Sequence, residues 1–137
     1  MRLEISRRAD LAVRAMMIIG PSDDRVKSQA LADVLETTIG MVPQIVGPLV
    51  KAGWVRSIPG PQGGYESRTR ITEINVLQVI ELIDGATDTG RCVVADRPCD
   101  ATEPCSLHIA WTRARAELVR SLADTTLASL SGPLSGK

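Results

Sequence analysis

The sequence predicts a mostly α-helical protein with one small β-hairpin. Three features favour this class: two short helical patterns around a four-residue turn, an alternating segment beside a glycine-rich turn, and a long helical pattern near the end of the chain. The chain has 137 residues, the length of one domain. Its composition, 44% hydrophobic and 23% charged, indicates a globular protein and neither a disordered nor a fibrous one.

The first half of the chain contains three helical patterns. The first covers residues 6–19 and begins with a serine whose hydroxyl can cap the helix. The second begins after Ser28, and the third covers residues 41–51. A turn at residues 37–40 joins the last two, so they form a helix-turn-helix candidate. The side chains expected in the core are Ala9, Ala12, Val13, Met16, Met17, Leu31, Val34, Leu35, Val42, Ile45, Val46 and Leu49.

Two prolines lie in the third pattern. Pro43 falls in the first turn, where proline is tolerated. Pro48 falls in the interior, where it removes the hydrogen bond to the Gln44 carbonyl at a cost of roughly 3 kcal/mol. We therefore expect a kink around residues 47–48.

A hairpin follows the helix-turn-helix. Residues 54–58 alternate as in a strand, residues 59–64 are rich in proline and glycine, and a second strand begins at Tyr65. A helix-turn-helix followed by a hairpin is the winged-helix arrangement, in which one helix enters the major groove of DNA and the hairpin tip meets the backbone or the minor groove. A module for protein interaction is the alternative use of this fold.

The second half contains two more helices. Asn75 and Gln78 form a capping-box pattern before an apolar helix that ends at residues 84–85. A long helix covers residues 106–122, and Thr125 is expected to cap a short turn after it. The apolar stripe of the long helix indicates a homodimer. We expect a winged-helix region at 1–84, a cysteine loop at 85–105, a dimerisation helix with a C-terminal cap at 106–130, and a flexible tail at 131–137.

The candidate DNA contacts surround the helix-turn-helix and the hairpin. The net charge is zero, but residues 1–70 carry +3 and residues 71–137 carry −3. Gln44 can pair with adenine, basic and hydroxyl side chains can contact phosphates, and glycines let the backbone come close to them. The candidate residues are Lys27, Thr37, Thr38, Gln44, Lys51, Arg56, Gly60, Gln62, Gly63 and Gly64.

All three cysteines lie within fourteen residues. Cys92, Cys99 and Cys105 have the spacing C-x6-C-x5-C, and His108 follows the third. Thiolates bind soft metals and iron–sulfur clusters. Zinc is the chemical alternative, although the tight C-x2-C knuckle of many zinc sites is absent. A Cys/His enzyme site remains open by spacing, but no nucleophile turn accompanies it, so we expect no enzyme.

The N-terminal apolar stretch is interrupted by charges. Arg7, Arg8, Asp10 and Arg14 fall within it before the length of a signal peptide or a membrane span is reached. The sequence therefore predicts a cytoplasmic protein, in which three cysteines would not form a disulfide framework. No membrane partner is expected.

Motifs along nearly the whole chain resemble one family. They are the opening MRL, ADLAVRAM, LVKAGWVRSIPGPQGGY, INVLQVIELIDG, the cysteine loop and VRSLADTTLASL, which are similar to the Rrf family of bacterial winged-helix regulators. The resemblance implies a dimer crossed through the long C-terminal helices, with an iron–sulfur cluster held by Cys92, Cys99, Cys105 and a fourth ligand that is not a cysteine. Departures are Pro59 where the family has arginine, Pro48, and one extra residue between the first two cysteines.

The resemblance leaves two candidates for the fourth ligand. His108 is similar to the histidine that completes a [2Fe–2S] site in IscR-like members. Asp10 lies where NsrR-like members carry an aspartate that reaches a [4Fe–4S] cluster from the partner subunit. We favour Asp10, and with it [4Fe–4S] over [2Fe–2S], because a weak carboxylate ligand leaves an iron open to small reactive molecules.

The sequence thus predicts a dimeric repressor that binds a two-fold site on double-stranded DNA. A cluster that senses nitric oxide, redox state or cluster supply is expected to control its affinity. The alternative is a zinc-stabilised or metal-free winged-helix regulator that responds to thiol oxidation, a small effector or a protein partner.

Overall fold

The computed structural model describes residues 3–95, 97–99 and 102–130. Its described part contains five α-helices, two short 3₁₀ turns and one antiparallel hairpin, as the sequence predicts. The predicted tail at 131–137 lies outside the described residues. The elements are α1 (Arg7–Ile19), α2 (Ser28–Val34), α3 (Val42–Lys51), β1 (Val55–Ile58), β2 (Gly64–Ser67), α4 (Val76–Asp84) and α5 (His108–Ala123).

The first helix begins where the sequence predicts. Ser6 caps α1, because its hydroxyl oxygen accepts the N–H of Ala9 at 3.0 Å. The same hydroxyl donates to Asp84 Oδ1 at 2.6 Å, which ties the start of α1 to the end of α4. Seven residues of α1 are buried, and α1 packs against α3 and α4 at the centre of the core.

The helix-turn-helix consists of α2, a 3₁₀ turn at Ile39–Met41 and α3. Leu31, Ala32 and Leu35 are buried, but Val34 is 61% exposed, so its predicted core position is wrong. The buried arc of α2 is centred between Leu31 and Leu35, and Val34 lies about 80° of helix rotation away from that centre. A helix of seven residues buries only this narrow side.

The third helix is continuous through Pro48. The N–H of Ala52 bonds to the Pro48 carbonyl at 3.0 Å, so the helix continues for a turn beyond the proline. The chain leaves α3 at Gly53, whose φ of +83° suits glycine. The predicted kink around residues 47–48 stays a prediction.

The hairpin pairs β1 with β2 in antiparallel register from Val55↔Ser67 to Ile58↔Gly64. The segment before α2 joins it, because Val26 and Tyr65 exchange backbone hydrogen bonds of 2.8 and 2.9 Å. The wing is therefore fixed to the base of the helix-turn-helix.

The segment after α5 packs against the core formed by the first helices. The predicted capping box is confirmed, with Asn75 and Gln78 exchanging hydrogen bonds of 2.8 and 2.9 Å. After α5, Leu127 is 1% exposed and its N–H bonds to the Ile74 carbonyl at 2.8 Å. Thr126, rather than the predicted Thr125, caps this last turn by accepting the N–H of Ser129.

No helix among the described residues is long and apolar enough to cross a membrane.

Candidate DNA interface and cysteine centre

The predicted contacts of the helix-turn-helix lie on its surface. Gln44 is exposed on α3, and Lys51 is exposed at the end of the same helix. Thr38 is exposed in the turn, whereas Thr37 is half-buried. Lys27 is exposed at the start of α2, beside an open groove of about 310 Å³ between α2 and the wing. These side chains are accessible to a DNA duplex.

The glycines of the wing have different roles. Gly60 is exposed at the tip with φ +93°, and a Cβ there would meet nothing within 4 Å. Gly63 is buried, and its N–H already donates to the Gly60 carbonyl at 2.9 Å. Gly64 has φ +146° and lies against the Val26 carbonyl. The N–H of Gly63 thus closes the turn of the wing, and the contact of the Gly63 and Gly64 backbone with DNA stays a prediction.

One basic residue of this surface was not expected from the sequence. Nη1 of Arg25 donates to the carbonyl of Gln62 at the wing tip. The contact joins residues 37 positions apart, so no local pattern indicates it. The predicted Arg56 lies on β1, with Nη1 3.5 Å from Glu66 Oε1 on the paired strand, and its side chain is 63% exposed. The wing thus presents cations that are partly neutralised by nearby acceptors.

The three cysteines converge. The Sγ atoms of Cys92, Cys99 and Cys105 all lie within 4.8 Å of one another, and each residue is half-buried. The described residues contain no other group of three such ligand atoms at this spacing. His108 Nδ1 lies 3.4 Å from Cys99 Sγ, but it does not join the group of three. One chain therefore supplies three thiols and leaves the fourth ligand open.

A small two-stranded bridge holds this loop. The N–H of Cys99 donates to the Gly90 carbonyl at 2.9 Å, and the N–H of Cys92 donates to the Arg97 carbonyl at 2.8 Å. Arg91 and Pro98 pair between these bonds. The bridge brings two cysteines that are seven positions apart to one end of the loop.

The environments of the thiols differ. The backbone N–H groups of Val94 and Ala95 each lie 3.4 Å from Cys92 Sγ, and they lower the pKa of that thiol to about 7. Desolvation raises the pKa of the Cys105 thiol. N–H groups aimed at a sulfur favour its thiolate, the form that binds metals.

The donor set fits a soft metal or an iron–sulfur cluster. Thiolates about 2.3 Å from one tetrahedral ion lie about 3.8 Å apart, which is within the observed spacing limit. At this spacing the three residues would hold a single ion, and an iron–sulfur cluster would require the sulfurs to lie farther apart.

The other candidate ligand lies on α1. Asp10 is half-buried in the first turn of the helix, and its Oδ1 is 3.5 Å from Arg14 Nε. The Arg14 Nε atom is buried and makes no hydrogen bond, so this contact is an ion pair of loose geometry. Asp10 does not belong to the three-cysteine group of its own chain.

The helix that follows the cysteines has an uncovered apolar side. None of the sixteen residues of α5 is buried, and on one side of the helix Leu107, at its N-cap, and Leu118 are 46% and 41% exposed. A cavity of about 450 Å³ lies between α5, the cysteine loop and Leu3, with Trp111 and Val93 among its lining residues. A helix this long normally covers one side with a neighbour.

Comparison with known families gives one match over most of the chain. The model of the Rrf2 family, described as "Iron-dependent Transcriptional regulator", matches residues 5–133. A protein of Mycobacterium tuberculosis, named as a candidate HTH-type transcriptional regulator, is 32% identical over 133 residues, which are 95% of this chain and 82% of the relative. The HTH-type transcriptional regulator IscR of Vibrio atlanticus is 28% identical over 131 residues, or 93% and 75% of the two chains.

Solved structures share the fold. The oxidized form of Staphylococcus aureus CymR aligns with a TM-score of 0.72 and 25% identity over 93% of this chain and 94% of its own. IscR of T. potens aligns with a TM-score of 0.70 and 22% identity over 93% and 85%, which is a likeness of fold alone.

Proposed function

This chain belongs to the Rrf2 family of transcriptional regulators, and we propose that an iron–sulfur cluster held by its cysteines controls its affinity for DNA. The observation that carries the proposal is the convergence of Cys92, Cys99 and Cys105 in one loop, whose sulfurs would move apart to hold the cluster. The description of the family as iron-dependent supports iron over zinc. When bound, the cluster supplies a centre that oxidants or nitric oxide can damage.

The DNA contacts of the proposal are the surface residues of the winged helix. Gln44 on α3 reads base edges in the major groove, and the wing tip around Gly60 and Gln62 follows the backbone. Phosphate contacts come from the exposed cations and hydroxyls. They are Lys27, Thr37, Thr38, Lys51 and Arg56.

A homodimer is part of the proposal, since α5 leaves Leu107, at its N-cap, and Leu118 exposed along one side, about three turns apart. Burial of such apolar surface is the usual driving force for association. Two winged helices related by a two-fold axis match a palindromic operator, and their spacing fixes which operator is bound. We assign the protein as a repressor.

For the fourth ligand we favour Asp10 of the partner subunit. Within one chain, the His108 ring lies with Nδ1 3.4 Å from Cys99 Sγ but outside the three-thiol group. A carboxylate from a second chain would tie cluster occupancy to the dimer. The comparison of Asp10→Ala with His108→Ala tests this choice, because only the variant that removes the ligand should change the absorption spectrum of the loaded protein.

The first experiment is metal analysis of anaerobically purified protein. We expect iron and acid-labile sulfide in near-equal amounts with visible charge-transfer absorption, and the iron count per chain separates [4Fe–4S] from [2Fe–2S]. Cys99→Ala should lose iron and the dependence of DNA binding on it, whereas Ser106→Ala, an exposed change in the same loop, should keep both. Zinc alone, or no metal after reconstitution, refutes the proposal.

A second candidate function is a thiol-based regulator. Two observations favour it: the sulfurs are close enough to pair after a small movement, and the pKa of Cys92 is lowered to about 7. One solved structure that shares this fold is the oxidized form of S. aureus CymR. Metal-free protein treated with peroxide distinguishes the two functions, because this candidate expects a disulfide by mass spectrometry together with a reversible change in DNA affinity.

A further inference from the structure

The cysteine loop is tied to the two helices that flank it at residues 87–90, which we name the loop base. The N–H of Thr87 donates to Oε2 of Glu81 on α4 at 2.6 Å. Nη1 of Arg115 on α5 lies 3.2 Å from Oδ1 of Asp88. The loop base is therefore held from both sides by charged side chains of packed helices.

Asp88 also bonds to the backbone of the cysteine loop. Its Oδ1 atom also accepts the N–H of Gly90 at 2.9 Å. The Gly90 carbonyl in turn accepts the N–H of Cys99 at 2.9 Å. A continuous series of bonds thus runs from α5 to a cysteine, through Asp88 and Gly90.

Arg115 also lies beside the thiols. Its side chain is 21% exposed, and it lines the small cavity formed by Cys99, Cys105 and His108. It lines the apolar cavity beside Cys92 as well. A guanidinium at this place would offset the negative charge that the cysteine sulfurs carry when they bind a metal.

We propose that Asp88 and Arg115 are positioning residues of the cysteine centre: the pair fixes the loop base so that Cys99 stays aligned with Cys92 and Cys105. The part of this inference that concerns metal retention rests on the proposed function. The placement of the loop itself does not, because all of its bonds are made within the protein chain.

The variants separate the two bonds that Asp88 makes. Asp88→Ala removes both, Asp88→Asn removes the charge but keeps an oxygen for Gly90, and Arg115→Gln removes the cation. Arg113→Gln is the matched control, because it removes an exposed cation from the same helix. Thermal unfolding of each variant checks that the winged-helix core is intact.

The first readout uses protein freed of metal by a chelator. Hydrogen exchange at the amides of Gly90 and Cys99 should be faster in Asp88→Ala than in wild type, with a smaller effect in Asp88→Asn and none in Arg113→Gln. The rate of Cys99 alkylation should rise most in Asp88→Ala, less in Asp88→Asn and not at all in Arg113→Gln. Unchanged exchange and alkylation in Asp88→Ala and Arg115→Gln overturn the inference, whatever the metal content of the wild type.

The second readout is the iron retained after anaerobic reconstitution and a challenge with a chelator. Outer contacts of metal ligands typically change affinity 10- to 100-fold, so Asp88→Ala and Arg115→Gln should lose iron at roughly one tenth of the chelator concentration that the wild type needs. If the wild type holds iron and these variants retain it as Arg113→Gln does, the positioning role is refuted. If the wild type holds none, the proposed function fails and the metal-free readout alone decides the inference.

Discussion

The substitution Gly63→Ala tests how the wing is built. A Cβ at this position would lie 1.9 Å from the Ile58 carbonyl oxygen and 2.8 Å from that of Gly60. Both neighbours are backbone atoms of the same hairpin, so neither can move aside as the end of a side chain can. The hairpin must open, which breaks the hydrogen bond from the Gly63 N–H to Gly60.

The expected loss of stability follows from this overlap. Overpacking at a close contact costs about 1–3 kcal/mol. For a chain of this size each kcal/mol lowers Tm by about 3–5 °C, so Tm should fall by about 3–15 °C. The matched control is Gly47→Ala in α3, where a Cβ would meet nothing within 4 Å. That variant should change stability by less than about 1 kcal/mol, because the gain from restricting the unfolded chain is offset by the contact of the new Cβ with the ring of Pro48.

Thermal and urea unfolding measure both values, and fluorescence anisotropy with labelled operator DNA measures the effect on binding. We expect Gly63→Ala to bind DNA more weakly even at temperatures where it is fully folded, since its wing tip is displaced. A Gly63→Ala protein as stable as the wild type, or as stable as Gly47→Ala, would show that the turn is not closed as described.

Three further outcomes are expected. Leu127→Ala should cost about 2–5 kcal/mol in urea unfolding, because this side chain is 1% exposed; a loss under 1 kcal/mol would place it outside the core. Ser6→Ala should cost about 0.5–2 kcal/mol by removing the cap of α1, and Asp84→Ala should reproduce only part of that loss, since it leaves the cap in place. Lys27→Gln should weaken DNA binding and reduce the slope of log K against log salt by about 1, and an unchanged slope contradicts a phosphate contact.

Local patterns predicted the elements of the fold because their causes are local. Ser6 and Asn75 cap helices through bonds that span three residues, so the sequence alone indicates them. Gly53 likewise ends α3 through its own backbone geometry. Val34 was predicted on the wrong side of α2, because the packing partners decide which side of a short helix is buried. The cap of the last turn is Thr126, one position after the predicted Thr125.

Local sequence patterns predicted less of the site than of the fold. The spacing of the cysteines indicated that they converge, and they do. The pair of Asp88 with Arg115 joins residues 27 positions apart, and that of Arg25 with Gln62 joins residues 37 apart. Such contacts depend on how helices and the wing pack, and no periodic pattern encodes them.

The packing of α5 suggests how the proposed cysteine centre would change DNA binding. Within one chain α5 packs mainly against α4, α4 against α1, and α1 against α3. This core is closely packed, with Met16 and Val79 fully buried, so it resists small deformations. The exposed side of α5, in contrast, is the proposed dimer surface, where a change at the loop can alter the placement of the two winged helices.

A comparison of two DNA fragments tests this route. If the cysteine centre sets the placement of the protomers, removing its metal should change affinity for an operator with two half-sites, because half-site spacing must match the dimer. Affinity for a fragment with one half-site should stay the same, since each α3 is unaltered. Equal changes on both fragments would mean that the signal passes through α4 and α1 to α3, and the buried contacts of α1 would then be the place to look for two alternative packings.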